Sequence, residues 1–143
     1  MIAGFLLGQK LIGRCREEVQ LAPEAMSAAA RCSRHGQLAR WQSNIATPCA
    51  ASSDLVLALC LGFAAPLLRL VNGQSAVFHF WGPPRIENGV LQAVLASIFG
   101  NGDVFAAYTQ PWPASILRLA DLAHGHSDLP LVLDGVNFPK GTP

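Results

Sequence analysis

The segment that most constrains this chain runs from Ala76 to Gly100, "AVFHFWGPPRIENGVLQAVLASIFG". Its first six residues are rich in β-branched and aromatic side chains, bounded by Gly-Gln-Ser before and Gly-Pro-Pro after, so Ala76–Trp81 reads as a buried strand. From Gly89 to Phe99 the apolar positions Val90, Leu91, Val94, Leu95, Ile98 and Phe99 form one helical stripe, closed by Gly100-Asn101-Gly102. A second apolar run, "LPLVLDGV" (Leu129 to Val136), reads as another buried strand. Strand, loop, helix and strand in this order predict an α/β fold with the two strands parallel and the helix as a right-handed crossover, Leu95 and Ile98 facing the sheet. Val104–Tyr108 is a further short strand candidate, and Pro113–His124 has helical spacing.

Upstream the pattern is helical. Residues 1–35 are expected to form a helical N-terminal segment with no assigned task, and 36–143 the α/β domain. Leu38, Trp41, Gln42 and Ile45 share one helical face that Pro48 should end. "LVLALCLGFAAPLLRLV" (Leu55 to Val71) starts after Ser52, Ser53 or Asp54 as an N-cap. Pro66 should kink or break this helix, and Asn72-Gly73 should close it. The run contains Arg69 and sits at the lower limit for a membrane span, so it reads as a buried core helix. The opening "MIAGFLLGQK" has neither a basic region before its apolar run nor a small-residue cleavage site, so it is not read as a signal peptide. These features predict a cytoplasmic chain with no membrane partner.

Composition narrows the partners. Apolar residues make up 51% of the 143 and charged residues 13%. That balance predicts an apolar face covered by a partner or by further chain. With a net charge of +1, composition offers no electrostatic support for nucleic-acid binding. Cys15, Cys32, Cys49 and Cys60 form no Cys-x-x-Cys pair, so reduced, buried thiols are expected rather than a zinc site.

The loop after Trp81 has the outline of a phosphate-binding loop, in which glycine-flanked N–H groups and a helix N-terminus hold phosphates. Gly82 stands where the first glycine belongs. The standard gap then puts Glu87 at the second glycine, Asn88 at the lysine and Gly89 at the magnesium-binding hydroxyl. Pro83 and Pro84 remove two donors. Arg85 is the nearest substitute cation, three positions early. At the end of the last strand Asp134 matches a magnesium-holding aspartate, while Gly135 replaces the water-activating glutamate; Asp-Gly is also a common turn.

Together with "GQLARWQSNIA", "FHFWG", "VLQAVLASIFG" and "YTQPWPASILRLADLAHGHSDLPLVLDG", these motifs make residues 36–138 resemble the P-loop ATPase domain of unknown function (family 927) of primase–helicase proteins from phages, plasmids and mobile elements. The resemblance implies a partial P-loop NTPase-like, AAA-like fold, with ATP and magnesium in active relatives and DNA replication as context. Carried over by position, the nucleotide site would comprise Gly82, Arg85, Asn88 and Gly89, with Asp134 as metal ligand if magnesium–nucleotide binds. Only Gly82 and Asp134 keep the family's residue type. The expectation is therefore a degenerate ATPase relative with no catalytic residues and no cofactor. Its partner would be a second copy, an active homologue or a replication protein, engaged through an apolar surface. Two alternatives are a weak ATPase completed by a neighbouring subunit and a gene fragment without selected activity. Trp41 and Trp81 are expected in the core rather than on a base-stacking surface with Trp112, and His124-x-His126 at a solvated helix end.

Overall fold

In the computed structural model, the described residues are 4–7, 10–13, 23–80, 87–101 and 108–135. The chain opens with an antiparallel hairpin, β1 (Gly4–Leu7) and β2 (Lys10–Gly13), in which Phe5 faces Ile12. This corrects the all-helical expectation for residues 1–35: a helix, α1 (Pro23–Ala29), comes only after the hairpin. Next, α2 (Leu38–Trp41) passes through a π-helical turn, Gln42–Ala46, into α3 (Thr47–Cys49). The stretch ends at Cys49, one residue after Pro48, close to where the proline was expected to end it.

The long apolar run forms α4 (Ser53–Leu68) and a 3-10 turn, Arg69–Val71. Pro66 lies in the last turn of α4 and leaves the helix in one piece. Closure comes, as expected, at Asn72-Gly73: Asn72 is left-handed (φ 52°), and the Gly73 N–H reaches Leu68 O at 2.7 Å. After α5 (Glu87–Ala96) come the two-residue strand β3 (Gln110–Pro111), α6 (Ile116–Gly125) and the two-residue strand β4 (Leu133–Asp134). The Ser115 side chain caps α6 by accepting from the Arg118 N–H at 3.3 Å.

The pair is parallel and keeps one expected strand, since β4 lies within Leu129–Val136, but its partner is β3 rather than the segment that begins at Ala76. Gln110 pairs with Leu133 and Pro111 with Asp134. The segment Ala76–Phe80 is irregular and, in its first four residues, exposed, Val77 reaching 96% accessibility. No described residue offers it a ladder, and aromatic content alone does not make a strand. Trp81 and most of Val104–Tyr108 lie outside the described residues. At a coarse level the fold is mixed helix and small parallel sheet, an α/β arrangement.

The core forms where α5 ends. Ala96, Phe99, Tyr108 and Val132 are buried together, with Leu7, Cys32, Leu95, Ile98 and Leu129 packed around them. The hairpin and the turn after α1 thus feed the same core as the sheet, and α1 packs on α6. Two glycines set the close approaches. A Cβ on Gly62 would strike the Ile98 side chain, so α4 can lie directly on α5; one on Gly100 would strike the Arg31 carbonyl. The Ser33 N–H also bonds Phe99 O at 3.0 Å, tying the turn after α1 to the end of α5. Leu95 and Ile98 are half-buried, shared between α4 and the core rather than laid flat on a sheet.

The expectation of a buried helix at Leu55–Val71 needs correction. Only Ala58 and Gly62 are buried along α4. Val56, Leu57, Phe63, Leu67, Leu70 and Val71 are exposed. Among the described residues, Ser53–Val71 is the one helix long and apolar enough to cross a membrane by length and composition. The thiols are mixed in burial: Cys49 is buried, Cys32 half-buried and Cys60 exposed.

Candidate functional site

The end of β4 and the start of α5 are neighbours, so the fold brings the aspartate strand to the helix that follows the loop. Gln92, in the second turn of α5, makes the link. Its Nε2 donates to Leu133 O at 3.1 Å and to Asp134 Oδ1 at 3.4 Å. The Gly135 N–H donates to the same Asp134 oxygen at 2.7 Å. Gly135 has φ +76°, in the left-handed region. The Asp-Gly pair is thus a working turn, closed by its own carboxylate. A glutamate at 135 would carry a left-handed backbone penalty of about 1–2 kcal/mol.

Glu87, Asn88 and Gly89 form the first turn of α5. Gly82 and Arg85 lie outside the described residues. A Cβ at Gly89 meets nothing within 4 Å, so lack of space does not explain the missing hydroxyl. For magnesium–nucleotide the described donors do not fit. Asp134 is a single carboxylate with one oxygen already engaged twice, and no serine or threonine hydroxyl stands at 89. Among the described residues no three His, Cys, Asp or Glu side chains converge as a metal cage.

Sequence reasoning missed Gln92, which reads only as the polar gap in an apolar stripe. The one available signal was its place one turn after Asn88, on the side of the helix that must meet the strand end. Its Oε1 and the Thr109 Oγ1, one residue before β3, are buried without a hydrogen-bond partner. Such orphaned acceptors are costly, and they flank the strand pair.

A second polar cluster is built on the core residue Tyr108. Tyr108 is fully buried, stacks on Phe99 with centroids 5.5 Å apart, and donates its hydroxyl to Pro130 O at 2.8 Å. Burial first, and the nearby Cys32 second, push its pKa well above the usual phenol range. His126 meets Tyr108 edge to face and is only 4% exposed, so it is not the solvated helix end expected of the His-x-His pair; His124 is exposed. Nδ1 of His126 lies 2.7 Å from Leu122 O, which assigns it as the donor and leaves Nε2 buried and unpaired. Desolvation lowers the His126 pKa, and Arg31 lowers it further against the opposing pull of the Leu122 bond. Arg31 is itself lowered by burial and by Arg118.

Of the three tryptophans, Trp41 is half-buried rather than core. Its Nε1–H donates to Ser97 Oγ at 3.0 Å, and its ring stands perpendicular to Phe63 at 6.2 Å. Trp112 is exposed.

Neither the curated proteins nor the solved structures contain a match to this chain. A family model does match it, over residues 2–138, a span that includes the hairpin as well as the strand pair. The chain therefore belongs to the family described as Domain of unknown function (DUF927).

Proposed function

We propose that this chain is a degenerate member of a P-loop, helicase-type ATPase lineage that acts by protein contact rather than by hydrolysis. One observation carries the reading. The aspartate strand end and the first turns of the post-loop helix are adjacent, as a nucleotide site needs, but Asp134 is turned to structural use by Gln92 and Gly135. The positions for lysine and hydroxyl hold Asn88 and Gly89. Losing one preorganised donor typically costs about a hundred- to a thousandfold in rate. The losses act as a unit, so one alone is enough to remove turnover.

The contact surface in this reading is the exposed apolar side of α4, with Phe63, Leu67, Leu70 and Val71. Its occupant is a second copy, an active homologue or a replication protein. Support comes from the size of the uncovered apolar face in a chain with so few charges.

The test is magnesium-dependent phosphate release. The unaltered chain is expected to show none. Restoring the pattern with Glu87→Gly, Asn88→Lys and Gly89→Thr is expected to introduce nucleotide binding before hydrolysis, since Gly135→Glu must also overcome the strained turn. Hydrolysis by the unaltered chain that Asp134→Ala abolishes would replace this reading with an ATPase completed by a neighbouring subunit.

A further inference from the structure

A cavity of about 670 Å³ opens at the opposite end of α5 from Asn88 and Gly89. Its walls are the hairpin, the segment between α1 and α2, Trp41, Phe63 of α4 and the turn that ends α5. The volume falls in the range of small-molecule sites. Its described lining contains Lys10, Arg34 and His35 and no Asp or Glu, although the chain as a whole carries 9 acidic residues. The bases are exposed, whereas the aromatic part is built in: Trp41 is held at its nitrogen by Ser97 and set perpendicular to Phe63. A fixed aromatic platform beside exposed basic side chains is the arrangement that takes up bases and their phosphates.

We propose that this cavity binds a flat aromatic ring carrying an anionic group, the chemistry of a nucleotide, either free or as one unit of a single strand. The near-neutral net charge of the chain is no obstacle, because the charged side chains of the described lining are all basic. The site uses no residue of the degenerate loop, so it stands whether or not the chain hydrolyses ATP.

The experiment uses the full chain in magnesium-free buffer with two probes: AMP by titration calorimetry, and a labelled oligothymidylate by fluorescence anisotropy. At least one is expected to bind, more weakly as salt rises. AMP binding as well as the oligonucleotide points to a free nucleotide; binding of the oligonucleotide alone points to a strand. Trp41→Ala should weaken binding about fivefold or more, and Trp41→Phe should retain most of it. Because Trp41→Ala also removes the bond to Ser97 and its fold is at risk, the exposed pair Lys10→Gln with Arg34→Gln is the deciding variant. It should weaken binding and flatten the salt dependence. If neither probe binds the unaltered chain at about millimolar concentration, or if the paired glutamine variant binds as tightly as its parent, the proposal is overturned.

Discussion

Helices α4 and α5 look alike as sequence and differ as structure. "LVLALCLGFAAPLLRLV" is the longer and more apolar of the two, yet "VLQAVLASIFG" is the more deeply buried. Helix α5 has α4 on one side, the β3–β4 pair near Gln92, and the shared core at its end. Among the described residues, helix α4 packs chiefly on α5, with Gly62 at the close approach, and Phe63 also meets the Trp41 ring. Apolar content sets how much surface a helix needs to hide; the number of neighbours decides how much is hidden. The unequal outcome makes α5 the structural axis of the chain and leaves α4 the surface it presents.

The largest expected effect of that contrast is at the end of α5. Phe99→Ala removes the ring stacked on Tyr108 and should destabilise by about 3–5 kcal/mol in reversible denaturant unfolding. A loss under about 1 kcal/mol would show that the two helices are equally superficial. Gly62→Leu tests the seam between them. A side chain there must displace Ile98, and overpacking of this kind costs about 1–3 kcal/mol. An unchanged midpoint would mean that α4 shifts freely away from α5.

Proton linkage should also single out the buried side. The folded His126 pKa lies below its unfolded value near 6.5, so below that pH the unfolded chain takes up a proton that the folded chain refuses. Stability should therefore be full above pH 6.5 and fall as pH drops below it, levelling out only beneath the folded pKa. His126→Gln should flatten that limb of the stability curve. The smallest effect on folding is expected on α4. Leu67→Ser with Leu70→Ser, in the last turn of α4 and just after it, should change monomer stability by no more than about 0.5 kcal/mol, as for surface positions. The same pair should reduce self-association in sedimentation, and a large loss of stability without that reduction would place α4 in the core after all.

Part of this was legible in the sequence. The stripe from Val90 to Phe99 specified α5 because six apolar residues at helical spacing can be satisfied only by a helix with one covered face. The left-handed Asn72 and the Asp-Gly turn at 134–135 were legible for a local reason: each is a backbone preference of the residues themselves. The family membership was legible too, although the match begins at residue 2 rather than at 36. "AVFHFW" misled because a strand is a relation between two chains, and composition reports only one of them. The hairpin at Gly4–Gly13 was missed for the related reason that its four-residue strands are too short to show a period.

What only the tertiary structure decided is which residues share a place. The contact of Gln92 with Asp134 spans 42 positions and that of Trp41 with Ser97 spans 56. No local pattern encodes such pairs. Each is a by-product of how α5 is laid between its neighbours, and that is set by the small residues Gly62 and Gly100, which let backbone and side chain approach where a Cβ would have held them apart. The sequence by itself determined helices α4 and α5, the turns at Asn72 and Asp134-Gly135 and the absence of lysine and hydroxyl from the loop's chemical positions, because these are properties of single segments. The strand that pairs with β4, the helix face left uncovered and the cavity at the end of α5 were decided by close packing, which depends on every neighbour at once.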